Sequence, residues 1–495
     1  MTEVVFDVVV VGGGNAGFCA AHAARQVGAS VLLLEKSVEE EAGGNSYYTA
    51  GAFRVAFDRL DDLLPLLDDR TDARLATTVV PPYPERAFRH DMERVTDGRC
   101  DPLLTDLLVS RSAETLAWLR DQGLEFRLMY ERQAYASGGS SVFFGGLPLG
   151  SVGGGKGLVA QHTAAAIQSG VVIRYGAALS GLRRDDRGAV VGVTYGDVDR
   201  RQHDVDAHAV VLAAGGFEAD AQRRERYLGP GWSRALVRGT PSNTGEVLDL
   251  AVEAGAARFG DWSSCHSVAW DAGAPARGGN RELTNRLTRQ SYPLGIVVNS
   301  QGRRFVDEGA DFRNYTYAKY GRAILAQPGG IAFQIFDAKT RPLLRSEEYD
   351  SQPITGASAG TLEDLAQRLG IDVDGLRRTV NEFNSAIVAV PFDPAVKDGR
   401  ASLMNPPKSN WAQALDSPPF YGYAVACGIT FTFGGVHIDR NARVLDTSGT
   451  PIGGLYAAGE MVGGLFYGNY PGGTGLTSGA VFGRIAGDHA ARLSK

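Results

Sequence analysis

Paired cysteine is missing from this sequence. The four thiols, Cys19, Cys100, Cys265 and Cys427, are isolated, with no CxxC spacing and no histidine at ligand spacing, which argues against an iron–sulfur cluster, a zinc site or any other metal centre. Excess basic charge is missing too. Fifty Lys and Arg against 56 Asp and Glu leave a net charge of −6 with the basic residues dispersed, so nucleic acid is not an expected partner. No apolar run approaches the roughly 20 residues that span a bilayer. Strand-like sequence begins at Val4, is interrupted by Asp7 and runs straight into glycines, leaving no room for a cleavable apolar leader. These absences together predict a cytoplasmic protein without direct membrane insertion.

Glycine is what the chain has in quantity. Its 64 glycines concentrate at 12–17, 43–44, 138–157, 215–216, 434–435, 453–454 and 463–479, as expected where backbone must approach a ligand closely. Between the clusters, hydrophobic periodicity predicts strands at 6–11 and 30–35, near 171–174, and near 189–195 and 208–213. Helices are predicted at 16–27, through 105–122, and near 361–369 and 373–388. This is an α/β plan. Asp58–Asp72 reads as acidic amphipathic surface structure broken at Pro65. At 495 residues, two domains are expected. Composition shifts toward Arg, Asn, Tyr and Trp near 260–330, and glycine-rich strand and turn sequence returns at 421–484. One domain is therefore predicted from 1–258 plus 418–495, with 259–417 inserted as a cap.

The spacing Gly12-Gly13-Gly14-Asn15-Ala16-Gly17 follows a strand and opens a helix, the arrangement that brings backbone N–H groups to a pyrophosphate. The next strand, Val31–Leu34, ends in Glu35, beside Lys36, where a carboxylate can accept both hydroxyls of an adenosine ribose. A dinucleotide site is predicted. Gly153–Gly157 with Lys156 lacks Walker spacing and a following Ser or Thr, so it is not read as a nucleotide triphosphate loop.

Three further segments occur in order: Gly43-Gly44-Asn45-Ser46, Ala213-Ala214-Gly215-Gly216 and Gly454-Leu455-Tyr456-Ala457-Ala458-Gly459-Glu460. With the first motif they resemble the segments by which the fumarate reductase/succinate dehydrogenase flavoprotein superfamily surrounds FAD. The resemblance covers nearly the whole chain and implies a Rossmann-type (GR2-like) FAD-binding domain with an inserted α+β capping domain. It places Gly12, Gly14, Asn15, Ala16, Gly17, Glu35, Lys36, Gly43, Gly44, Asn45, Ser46, Gly51, Ala214, Gly215, Gly216, Gly459, Glu460, Gly475 and Leu476 around the cofactor. Succinate dehydrogenases tether flavin through a histidine after the Gly-Gly pair. Here Tyr47 and Tyr48 stand nearby instead, implying noncovalent FAD.

The run Gly302–Arg322 most resembles FAD-dependent tricarballylate dehydrogenases, which oxidise tricarballylate to cis-aconitate, and Arg313 matches the catalytic arginine of soluble fumarate reductases. His266 matches their substrate-binding histidine. Two positions depart from the fumarate reductase pattern: Phe431 replaces a histidine and Tyr470 an arginine. The Tyr470–Thr477 segment instead resembles the tyrosine that polarises a ketone in ketosteroid Δ1-dehydrogenases. Arginine is a natural proton donor and an awkward base, so Tyr470, Tyr315 or Tyr292 is expected to handle the proton or the carbonyl. Arg286, Arg289 and Lys319 are further candidate cations for a polyanion, Phe143 and Phe144 candidate wall residues, and His437 a strand residue near the flavin.

The expected activity is removal of two hydrogens across a bond α,β to a carboxylate or ketone, with tricarballylate as the leading substrate. A cyclic ketone such as 4-oxocyclohexanecarboxylate or a 3-ketosteroid, an enoate reductase running the opposite way, and a non-catalytic FAD-binding subunit are the alternatives. The tricarballylate resemblance implies a separate membrane-associated partner that reoxidises the flavin.

Overall fold

The computed structural model describes residues 5–493. Its larger sheet is centred on Phe6–Val11, which pairs in parallel with Val31–Leu34 on one side and Gln202–Leu212 on the other. Val8–Val11 and Val31–Leu34 are buried throughout, as continuous apolar runs are when both faces of a parallel sheet are covered. Val172–Arg174 extends one edge and Pro451–Ala457 pairs with Gln202–Leu212. The C-terminal segment thus completes the sheet begun by the N-terminus.

Helix Asn15–Gln26 covers this sheet and packs on the long helix Thr474–Leu493. Their close approach is written in a stripe of glycines four residues apart. A Cβ at Gly483 would stand 2.4 Å from the Ala16 carbonyl oxygen, and one at Gly487 2.0 Å from that of Ala20. This contact holds Gly475 and Leu476 against the first glycine loop, where Asn15 Nδ2 donates to the Leu476 carbonyl at 2.8 Å.

Helix Pro102–Asp121 starts ahead of its predicted position, because Asp101 caps it by accepting from Leu104 N at 2.9 Å and Pro102 occupies its first turn. The acidic stretch after Asp58 forms a helical turn, Leu60–Leu63, and a tighter one, Leu64–Leu66, around Pro65. The strand read from Val4 is described from Phe6 onward, Val4 itself lying outside the described residues.

A second, mostly antiparallel sheet is built on Phe420–Thr432, flanked by Cys265–Asp271, Ile331–Phe336 and Gly356–Ala359, with Ile296–Asn299 beyond. Helices Leu362–Leu369 and Val373–Ser385 cover it through Leu365, Leu376, Val380 and Phe383. The sheet reaches past the predicted 259–417 insertion at both ends. Its longest strand is Phe420–Thr432, and Leu236–Val237 adds to it in parallel. The strand's far end, Thr430–Thr432, lines the cleft described below.

Candidate active site

A cleft of about 350 Å³ runs from the first glycine loop to the second sheet, within the range of small-molecule sites, about 300–1,000 Å³. Gly12, Gly14, Asn15, Ala16, Glu35, Lys36, Gly44, Asn45 and Ser46 line one end, with Ala214, Gly215, Gly216, Gly459, Glu460, Gly475 and Leu476. The N-cap residue Gly14 brings no side chain to helix Asn15–Gln26, and although Ser46 Oγ accepts from Asn15 N at 2.9 Å, the positive end of the helix still faces the cleft, where an anion is favoured. Gly12 has φ +107°, and a Cβ there would stand 2.4 Å from the Ala213 carbonyl oxygen. Glu35 accepts from Gly13 N and Ser37 N at 2.8 Å each, fixing its carboxylate on the cleft wall. Lys36 donates to Thr244 Oγ1 at 2.7 Å and pairs with Glu246. These features fit a diphosphate and ribose.

Gly17, Gly43 and Gly51 do not line the cleft, contrary to expectation. Gly17 acts one layer behind, where a Cβ would stand 1.9 Å from the Gly12 carbonyl oxygen. Asn45 is saturated by the protein. Its Nδ2 donates to Glu218 Oε1 and the Thr430 carbonyl at 2.6 Å each, and its Oδ1 accepts from Thr240 N.

Glu460 lies beside Gly216 and accepts from Thr432 N at 2.7 Å. Behind it stands Glu218, fully buried, accepting from Asn45 and Asn243, and hydrogen-bonded to Glu460. Burial pushes both carboxyls up, and the neighbouring Glu218 charge pushes Glu460 further. A proton retained by the pair relieves the repulsion between the two carboxylates. The folded protein therefore holds more protons than the unfolded chain above the ordinary carboxyl range, so this pair costs stability as pH rises out of that range. Glu218→Gln keeps the hydrogen bonds and removes the charge. Its melting temperature at saturating FAD should exceed the wild type's by a few degrees at pH 8 and approach it near pH 4; equal values at pH 8 would show that no charge is trapped there.

The other end of the cleft joins four arginines, Arg132, Arg238, Arg313 and Arg345, to His266, Tyr317, Phe431 and Tyr470. Arg313 is buried over Phe144, with 4.9 Å from guanidinium carbon to ring centre, and donates to Asn314 Oδ1 at 2.9 Å. No carboxylate pairs with it among the described residues, and its Nε has no partner. Arg132 and Arg345 instead clamp buried Glu348, at 3.0 and 2.7 Å. Burial pushes the Glu348 carboxyl up, but these two guanidiniums win and hold it below its usual range. Burial and the Arg345 charge bring Arg132 down to about 10.

The rings of Tyr317, Phe431 and Tyr470 surround His266 edge-on at 4.9, 5.2 and 4.9 Å. The Tyr317 and Tyr470 hydroxyls are hydrogen-bonded to each other. Burial raises both phenols, Tyr470 the further because Tyr317 adds to the effect. Burial, then the Arg238 charge, holds His266 well below its usual range, so its imidazole is neutral at pH 7.

Tyr292 and Tyr315, expected near the chemistry, are wall residues. Tyr292 hydrogen-bonds Thr316 at 2.7 Å beneath Tyr320, and Tyr315 donates to the Gly145 carbonyl between Arg54 and Arg94. The expected cations also lie elsewhere. Arg286 and Lys319 are exposed, and Arg289 is locked to Asp271 at 2.7 Å. Lys319 follows cleft-lining Tyr317 by two residues, which turns it to the opposite side of helix Tyr317–Leu325. Phe144 backs Arg313 rather than facing the cleft, Phe143 packs against Tyr130, and His437 stacks on Phe259 at 3.9 Å. Sequence reasoning missed Arg132, Arg238, Glu218, Tyr317 and Arg345. Arg238 left one signal, a charge ending the apolar run Ala235-Leu236-Val237.

The FAD binding domain family matches residues 7–476. The chain belongs to this family. It is a flavoprotein of the fumarate reductase type and an FAD-dependent oxidoreductase. It is 31% identical over 491 residues to the fumarate reductase (cytochrome) of Shewanella frigidimarina, covering 99% of this chain and 77% of that protein. With the 4-oxocyclohexanecarboxylate 2-dehydrogenase of Sinomonas cyclohexanicum it shares 28% identity, covering 98% of this chain and 93% of that one. The open conformation of a flavocytochrome c3 fumarate reductase superposes with a TM-score of 0.73 at 28% identity, covering 100% of this flavoprotein and 79% of that chain.

Proposed function

We propose that this flavoprotein desaturates a carbon–carbon bond α,β to a carboxylate, with tricarballylate to cis-aconitate as the leading pair. The observation that carries the reading is Arg313, a buried guanidinium facing the cleft with no acidic partner among the described residues, where a substrate carboxylate compensates a charge that is otherwise expensive to bury. The residues of the glycine-lined end would hold FAD noncovalently, and the cofactor would supply the hydride-accepting chemistry there.

The protein's part is positioning and proton handling. Arg313 fixes the substrate through a planar, permanently charged fork. Tyr470, kept as a neutral phenol and oriented by Tyr317, donates to an oxygen of the group that acidifies the α-proton. His266 accepts that proton. At pH 7 it is the basic side chain of this end that carries a free lone pair, the arginines being protonated and the phenols neutral. Electrons leave through an acceptor that we assign to a separate, membrane-associated protein, in keeping with the tricarballylate dehydrogenase resemblance, and the flavoprotein itself to the cytoplasm.

A second reading, a cyclic keto acid as substrate, is favoured by the paired Tyr470 and Tyr317 hydroxyls, which suit a ketone oxygen, and by the relative named for 4-oxocyclohexanecarboxylate. The test is the visible flavin absorbance of anaerobic enzyme mixed with each compound. Bleaching is expected with tricarballylate. Bleaching with 4-oxocyclohexanecarboxylate alone would replace the leading substrate by the second, and bleaching with neither would overturn both.

A further inference from the structure

Arg238 is a buried charge that the chemistry above does not use. It follows the edge strand Leu236–Val237, lines the cleft and lies with its guanidinium carbon 5.6 Å from the centre of the Trp270 ring. Its Nη1 donates to Thr430 Oγ1 at 2.7 Å, its Nη2 donates to Asn285 Oδ1, and its Nε has no partner. All of these neighbours are neutral. A guanidinium does not shed its proton to escape burial, so a cation left with neutral partners is a costly arrangement that an anion relieves.

A second observation points into the same space. His266 is 2% exposed, and neither ring nitrogen has a hydrogen-bond partner among the described residues. Both side chains line the cleft, and the Arg238 charge is felt at the imidazole. The Arg313 end has a different set of partners, Gln133, Asn314 and Phe144. Two unpaired guanidiniums therefore stand in two separate polar environments of one cleft.

We propose that Arg238, held by Asn285 and Thr430, forms a second carboxylate subsite beside His266, distinct from that of Arg313, which sets a preference for substrates carrying more than one carboxylate. The substrate's identity rests on the desaturase reading above; the subsite does not. Thr430 and Asn285 hold the guanidinium in place, so its fork is organised before the anion arrives.

The test uses FAD-loaded enzyme and two ligands that cannot be desaturated. Citrate carries three carboxylates and no hydrogen on its central carbon, and benzoate carries one carboxylate on an aromatic ring. Binding is followed by the shift each ligand causes in the visible flavin spectrum. Arg238→Met is expected to weaken citrate by about ten- to a hundredfold, the range for losing a charge-assisted hydrogen bond. Benzoate, held at Arg313, should bind as in the wild type, and Arg238→Lys should recover part of the citrate affinity. Citrate affinity within threefold of wild type, or an equal loss for both ligands, would overturn the subsite, as would wild-type enzyme that does not bind citrate. Failure of tricarballylate to bleach the flavin, with citrate binding still dependent on Arg238, would remove the substrate reading and leave the subsite standing.

Discussion

Replacing Arg313 with methionine is expected to slow flavin reduction by a carboxylate substrate by about 10²–10³-fold, the cost of losing one preorganised charge-stabilising group. Methionine fills much of the same volume against Phe144, so the fold and the bound FAD should persist. Stopped-flow reduction at saturating substrate separates this effect from weaker binding. Lysine should rescue little, because a point charge cannot reproduce the planar fork. A rate within tenfold of wild type in the methionine variant would make Arg313 a structural residue and remove the observation on which the proposed function rests.

The second large effect is expected at Gly14, where the cofactor and the fold make separable demands. Its φ of −89° and ψ of 179° are open to any residue. A Cβ there would meet nothing nearer than Ser46 Oγ at 3.4 Å. Valine should therefore fold. Yet Gly14 precedes the first turn of helix Asn15–Gln26 and lines the cleft where a diphosphate must approach the backbone. Gly14→Val is expected to purify as a folded protein essentially without FAD, its affinity reduced by about 10³-fold or more, since a branched side chain displaces the phosphates from the helix terminus. Flavin content after purification and a melting curve measure the two properties separately. Full FAD occupancy would show that the diphosphate lies elsewhere. At Gly12 the same experiment would be uninformative, because φ +107° and the Ala213 carbonyl forbid a side chain whatever binds.

The cofactor end of the molecule was largely legible because its signals are local. A strand, a glycine turn and a helix follow one another within residues 6–26, and Glu35 ends the next strand, so backbone geometry alone brings them together. What was not legible there was depth. Gly17, Gly43 and Gly51, like Gly12, would set a Cβ against neighbouring protein atoms, but of the four Gly12 alone lines the cleft, and spacing does not distinguish the two cases.

The substrate end depends on contacts between distant segments. Tyr470 and Tyr317 are 153 positions apart and share a hydrogen bond, while Arg238 reaches Asn285 across 47 positions and Thr430 across 192. The sequence offered many arginines and tyrosines near the resemblance to known dehydrogenases. Whether each became a ligand, a wall or a surface charge was decided by helix phase, as for Lys319 against Tyr317, or by a nearby carboxylate, as for Arg289 with Asp271.

The sequence by itself determined an α/β chain with a dinucleotide-binding loop and its acidic ribose partner, because these follow from short-range periodicity and from the steric freedom of glycine. Only the tertiary structure decided which cations face the cleft without a carboxylate partner among the described residues, and that burial raises the Glu218 and Glu460 carboxyls together. Charge compensation depends on distance in space and on exclusion of water, neither of which is encoded by position along the chain.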